Sequence, residues 1–135
     1  MKAVDYIPHA TPMVFVDDIV AVGDEWIETT LNITPDLMFA TVEGLPTWAS
    51  IEIMAQTISA YAGLQGQKSD RAPRVGFLLG TRKLHLPMPY FDLGTTLKIR
   101  AERQYIHEGL GQFLCEIEYQ QHHISALLSV YEPEQ

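Results

Sequence analysis

From Leu45 to Leu64 the chain reads LPTWASIEIMAQTISAYAGL, and between Glu43 and Lys68 its single charged residue is Glu52. The stretch is apolar or small on nearly every face, and a helix of that kind is buried rather than laid on a surface. Pro46 suits a helix start, with Thr47 or Ser50 as cap, and Gly63 and Gly66 read as stop signals, so the pattern predicts a helix over 47–62. A carboxylate on such a helix is costly unless it is paired, hydrogen-bonded or held neutral. Desolvation raises a carboxyl pKa, the property wanted of a general acid or base. Whatever else the chain does, it must fold around one acid on one enclosed helix.

Composition narrows the rest. At 135 residues, 47% of them hydrophobic, the chain is sized for one domain with a real core, and we take 1–135 as that domain. A net charge of −8 argues against nucleic acid and against anionic membrane as partners. The single cysteine, Cys115, forbids an intrachain disulfide and fits a reducing cytoplasm, and Met1 to Pro8 lacks the apolar stretch of a signal peptide. Ser50, Glu52, Gln56, Thr57 and Ser59 interrupt the one long apolar run, which favours a helix buried in protein over a membrane span.

The flanks read as strands. Met13–Val22 and Trp26–Ile33 are β-rich about a Gly23-Asp24 turn, and 39–46 reads as a loop. After a polar loop over 65–73 come Val75–Leu86, Thr95–Ile106, Gln112–Gln120 and His123–Tyr131, three of them with clear alternation, and Glu108-Gly109-Leu110-Gly111 as a hairpin turn. The order ββαββββ predicts an α+β domain, one long helix on one face of an antiparallel sheet. Such a sheet leaves open edges and an open face, which dimerisation covers.

Four segments in this order resemble a known family: PHATPMVFVD at 8–17, ITPDLMF at 33–39, LP at 45–46 followed by Glu52 and Met54-Ala55-Gln56, and GFLLGTRKL at 76–84. They are similar to the hotdog-fold 3-hydroxyacyl-acyl-carrier-protein dehydratases, with the small dehydratase-like proteins of aryl-polyene and polyketide clusters as the nearest subgroup. The resemblance implies a hotdog fold, a central helix wrapped by an antiparallel sheet, and a lyase acting on a thioester in fatty acid or polyketide biosynthesis. It implies Glu52 as the acid at the substrate hydroxyl, and Trp48, Gln56, Phe77 and Leu78 as substrate-binding residues. No cofactor is implied, because the acyl group arrives on a phosphopantetheine arm of acyl carrier protein or as a coenzyme A thioester. A homodimer, or a heterodimer with another hotdog protein, is the implied assembly.

The sequence departs from that family at one point. The catalytic histidine belongs to a loop before the proline matched by Pro46, and here 38–45 is shorter and holds no histidine. His9 is the one histidine in a family-like motif, either a relocated base or a structural residue fixing the turn before Pro12. Asp17 reads as a carboxylate bonding a turn, Glu43 as solvated, and Cys115 as core. His85, His107, His122 and His123 read as strand-end residues without metal-ligand spacing, so no metal site is expected. Lys68, Arg71, Arg74, Arg82 and Lys83 concentrate positive charge in an acidic chain, and Arg71, Arg74, Arg82 and Lys83 form a candidate docking patch for an acidic carrier. Two other readings stay open: a catalytically deficient subunit pairing with an active dehydratase, and a thioesterase whose single helix carboxylate activates water.

Overall fold

The computed structural model describes residues 1–7, 14–68 and 77–131. Its elements are a 3₁₀ turn at Ala3–Tyr6, β1 (Asp18–Val22), β2 (Trp26–Asn32), β3 (Leu45–Pro46), a 3₁₀ turn at Thr47–Ala49, α1 (Ser50–Lys68), β4 (Phe77–Arg82), β5 (Tyr90–Phe91), β6 (Thr96–His107), β7 (Leu110–Tyr119) and β8 (His122–Tyr131). Six strands form one antiparallel sheet in the order β1-β2-β6-β7-β8-β4, and β3 pairs with β5 as a separate clip. No helix among the described residues is long and apolar enough to cross a membrane.

Alternation sets the sheet's two faces. Leu97, Ile99 and Ala101 of β6, Phe113, Cys115, Ile117 and Tyr119 of β7, and Ile124, Ala126 and Leu128 of β8 all turn inward and are buried. Lys98 pairs with Glu118 and Arg100 with Glu116 on the outer face, as period two requires. Glu108 and Gly109 both adopt positive φ, so the β6–β7 hairpin closes on two residues rather than four, and Leu110 and Gly111 belong to the strand. Cys115 lies in the core as expected, where burial pushes its thiol up to about 12.

The helix lies across the inward face, its sheet side carried by Ile53, Met54, Ile58, Ala60, Tyr61 and Leu64, all buried. Polar residues on that side are bonded. The Thr57 hydroxyl donates to the Ile53 carbonyl at 3.0 Å and lies 2.9 Å from the Thr29 hydroxyl of β2. The opposite side, Ile51, Glu52, Ala55, Ser59 and Ala62, is only half-buried. One sheet covers one side of a helix, so an all-round apolar helix keeps an open flank within a single chain.

Two expectations about the ends of the helix need correction. Neither Thr47 nor Ser50 caps it: the Thr47 hydroxyl donates to the Met88 carbonyl at 2.6 Å, and the buried Ser50 hydroxyl meets no partner among the described residues. The helix start is instead held by backbone, through the β3–β5 clip and the Thr47 N–H on the Pro89 carbonyl at 2.9 Å. Gly44 makes the clip possible, with φ at +123° and no room for a Cβ, which would lie 2.1 Å from the Phe91 carbonyl oxygen.

At the other end α1 runs through Gly63 and Gly66 to Lys68. Gly63 is not a stop but a point of contact: a Cβ there would lie 2.0 Å from the Tyr6 carbonyl oxygen of the N-terminal 3₁₀ turn. Alanine in place of glycine inside an exposed helix gains up to about 1 kcal/mol. Here the clash with backbone reverses the sign, so Gly63→Ala should destabilise by roughly 1–3 kcal/mol, the cost typical of overpacking. Thermal melting checks this, and a raised Tm would contradict the contact.

Candidate active site

Glu52 occupies the first turn of α1, half-buried on the flank that the sheet leaves open. One turn further on is Gln56, fully buried. The i, i+4 spacing brings the two side chains together, and the Gln56 Nε2 donates to Glu52 Oε1 at 3.1 Å. The other end of the same amide accepts the Phe15 N–H at 2.7 Å and the Val16 N–H at 3.4 Å. Only a carbonyl oxygen can accept two N–H donors, so the amide has one possible orientation, with its NH₂ toward the carboxylate. A single side chain thus ties the segment entering β1 to the helix and aims a donor at Glu52.

Phe15 and Val16 are themselves buried, and so is Ile19 beyond them. The N-terminal chain is further held by Ala3 N–H on the Asp17 carbonyl at 2.9 Å and by Asp17 Oδ2, which accepts the Asn32 N–H at 2.8 Å. Burial pushes the Asp17 carboxyl up, against the Asn32 bond that pulls it down. These contacts give Asp17 a structural role, but its carboxylate bonds the end of β2 across the strand pair rather than the turn that the sequence suggested.

Trp48 stands beside the helix start, 56% exposed, with its ring centroid 5.0 Å from that of Phe39. Phe39 is also exposed and holds φ at +71°, a conformation unusual for a bulky residue. The loop before β3 and the helix start therefore present an aromatic pair, with Val42 almost fully exposed at the loop's tip. Glu43 sits on that tip too, exposed, its N–H on the Thr41 hydroxyl at 3.1 Å, which fits the solvated role.

Leu78 and Leu79 lie on β4, an edge strand that pairs only with β8, and are 42% and 60% exposed. Phe77 opens β4, but its side chain lies outside what is described. Arg82 and Lys83 are exposed at the end of β4. Arg71 and Arg74, and with them the centre of the proposed docking patch, lie outside the described residues, as does His9. The four described histidines, His85, His107, His122 and His123, are exposed. Among the described residues no group of His, Cys, Asp or Glu is arranged to hold a metal.

What the structure brings together is Glu52, Gln56 and the backbone of Phe15 and Val16. The sequence singled out Glu52 and Gln56 but not the link to Phe15, 41 residues away. Gln56→Leu would leave the buried Phe15 N–H without its acceptor, at a cost of about 1–3 kcal/mol. Denaturant unfolding should show that loss, and unchanged stability would mean that the clamp does not hold the N-terminal segment.

Comparison with known structures gives the fold its name. The chain superposes on a chain of the dehydratase heterocomplex ApeI:P from Xenorhabdus doucetiae with a TM-score of 0.89 at 27% identity, covering 100% of this chain and 93% of that one. The PaaI protein of the E. coli phenylacetic acid degradation operon aligns at 16% identity and TM-score 0.62, over 87% of this chain and 82% of that one. A Haemophilus influenzae thioesterase aligns at 18% and 0.58, over 89% and 80%. These last two speak for the fold alone, and the fold is the hotdog: one helix against a large antiparallel sheet. No curated protein gives a significant sequence match. The model of the ApeP-like dehydratases matches residues 1–135, the whole length read above, and the chain belongs to the ApeP-like dehydratase family.

Proposed function

We propose that this protein is the acid-bearing subunit of a 3-hydroxyacyl-thioester dehydratase, with Glu52 as the general acid. The observation that carries the reading is the Gln56 amide, which bonds Glu52 on the open flank of the helix in a chain of a dehydratase family. In the reaction a base removes a proton from C2 of the acyl chain. The electron pair forms the C2–C3 double bond, the C3–O bond breaks, and Glu52 gives its proton to the departing hydroxyl, which leaves as water. The first N–H groups of α1 suit the thioester carbonyl, where negative charge gathers as C2 loses its proton.

The base is His9 or a group of a partner chain, since 38–45 holds no histidine. A partner is favoured by two observations. The helix flank that carries Glu52 is half-open, Leu78 and Leu79 are exposed on the edge strand β4, and Phe39 and Trp48 are exposed at the helix start. The similar ApeI:P assembly is a complex of two different chains. We therefore infer a dimer with a second hotdog protein, working in the cytoplasm on acyl groups borne by phosphopantetheine, without a cofactor. Arg82 and Lys83, with Arg71 and Arg74, are the cationic residues for an acidic carrier protein, and Trp48, Leu78 and Phe77 are proposed beside the acyl chain.

The test is turnover of 3-hydroxyacyl carrier-protein thioesters, followed by mass spectrometry, with the chain alone and co-purified with a hotdog partner. Enoyl product is expected, and Glu52→Gln should lower its rate by about 10²–10⁴-fold, the contribution of a positioned acid. His9→Ala should do the same if that residue is the base, and leave the rate unchanged if the partner supplies it. Undiminished turnover by Glu52→Gln, or release of free acid in place of enoyl product, would overturn the reading.

A further inference from the structure

The far end of the helix holds a second feature, separate from Glu52. Between the C-terminal half of α1 and the β6–β7 hairpin lies a partly open cavity of about 140 Å³. Ile58 and Ala62 of the helix, Phe113 of β7 and Val130 of β8 form its apolar wall. Neither Glu52 nor Gln56 lines it, nor do Trp48 and Leu78. At 1.5 Å of rise per residue it lies roughly 9–20 Å along the helix axis from Glu52.

Two features of the chain keep this space open. Gly111 brings no side chain to a wall where a Cβ would already meet the Phe113 ring at 3.2 Å. The register of β6 on β7 shifts between Arg103 and Tyr105, a bulge that alters where the strand's side chains point. Tyr61 is fixed on one side: its hydroxyl donates to the Asp24 carbonyl and its ring packs edge-on against Phe113, centroids 6.0 Å apart.

The polar side of the cavity is Arg103 together with Gln65, which bonds the Tyr61 hydroxyl. Glu25 holds its Nε at 2.7 Å and its Nη2 at 3.1 Å, and the guanidinium lies 5.7 Å from the Tyr61 ring centroid. The Glu25 carboxylate already balances the guanidinium charge. Nη1 keeps its donors, since no described residue accepts from it. A group of this kind asks for an oxygen acceptor but not for a second negative charge, because another carboxylate would face Glu25 across the same cation.

We propose that this cavity is a binding site for a free, neutral, single-ring molecule bearing one oxygen acceptor. Size supports the ring: an apolar cavity of about 150 Å³ accommodates benzene. Arg103 Nη1 supplies the bond to the oxygen, and Ile58, Ala62, Phe113 and Val130 supply the apolar contact. The site does not depend on the dehydratase reading, because neither Glu52 nor Gln56 lines it, and Ala62 is its one lining residue on the half-open helix flank.

The probe is benzyl alcohol, with toluene lacking the oxygen and benzoate carrying the charge, each titrated into the full-length protein and followed by amide NMR spectra. Benzyl alcohol should shift the amides of Ala62, Gly109 and Gly111 saturably, with a Kd of about 1 mM, in the range open to so small a ligand. Toluene and benzoate should bind at least several-fold more weakly. Ala62→Leu, which fills the cavity from the helix side, should weaken benzyl alcohol at least tenfold. Arg103→Met should bring benzyl alcohol down to the level of toluene, a check that stands even where the first variant alters packing. Shifts that never saturate, tighter binding of benzoate, indifference to both substitutions, or displacement of benzyl alcohol by an acyl thioester bound at Glu52 would each overturn the proposal.

Discussion

One buried amide joins the three parts on which the site depends. Gln56 accepts from the backbone of Phe15 and Val16 and donates to Glu52, so the N-terminal segment, the central helix and the candidate acid are held through a single side chain. The polarity of the amide matters. Its oxygen is committed to two N–H groups, which leaves only donors for the carboxylate. An ester or a second carboxylate at this position would not satisfy both ends, and an apolar residue would orphan a buried N–H. The same side chain therefore does structural and orienting work, and its loss affects both.

The remaining architecture explains why the acid is placed where it is. The β3–β5 clip and the Thr47 bonds pin the helix start by backbone, leaving the first turn without a side-chain cap from Thr47 or Ser50. The sheet then covers one side of α1 and leaves the flank of Ile51, Glu52, Ala55, Ser59 and Ala62 half-open. Apolar residues on a half-open flank, exposed leucines on the β4 edge and the Phe39–Trp48 pair lie on surfaces that a solitary chain does not bury. A second hotdog chain would cover such surfaces, as the two-chain assembly of the similar ApeI:P heterocomplex suggests.

Much of this was legible in the sequence, for physical reasons that differ by element. Alternation is strong from Leu97 to Val130 because one sheet face is wholly buried, and the strands there were bounded to within a few residues. Pro46 marked the helix start to within a turn: a 3₁₀ turn occupies Thr47–Ala49, and α1 begins at Ser50 rather than at 47. The helix end was not legible: Gly63 carries the sign of a stop, but what requires glycine there is the approach of the Tyr6 carbonyl, a contact across the fold. The β3–β5 clip escaped because two-residue strands have no periodicity. Glu52 stood out as a lone charge, yet its helix was read as enclosed on all sides, whereas the structure leaves its flank half-open. Gln56 was singled out through the family resemblance as a substrate-binding residue. Its bonds to Phe15 and Val16 were invisible because nothing local marks a partner about forty positions away.

The most direct test of this account is amide hydrogen exchange at Phe15 under native conditions. Phe15 precedes β1 and has no strand partner there, so its protection reports the Gln56 oxygen. The account predicts slow exchange, comparable to the core strand amides, and its loss in Gln56→Leu while β6 and β7 remain protected. Fast exchange at Phe15 in the unaltered protein would contradict it, because the amide that aims at Glu52 would then not be held in place.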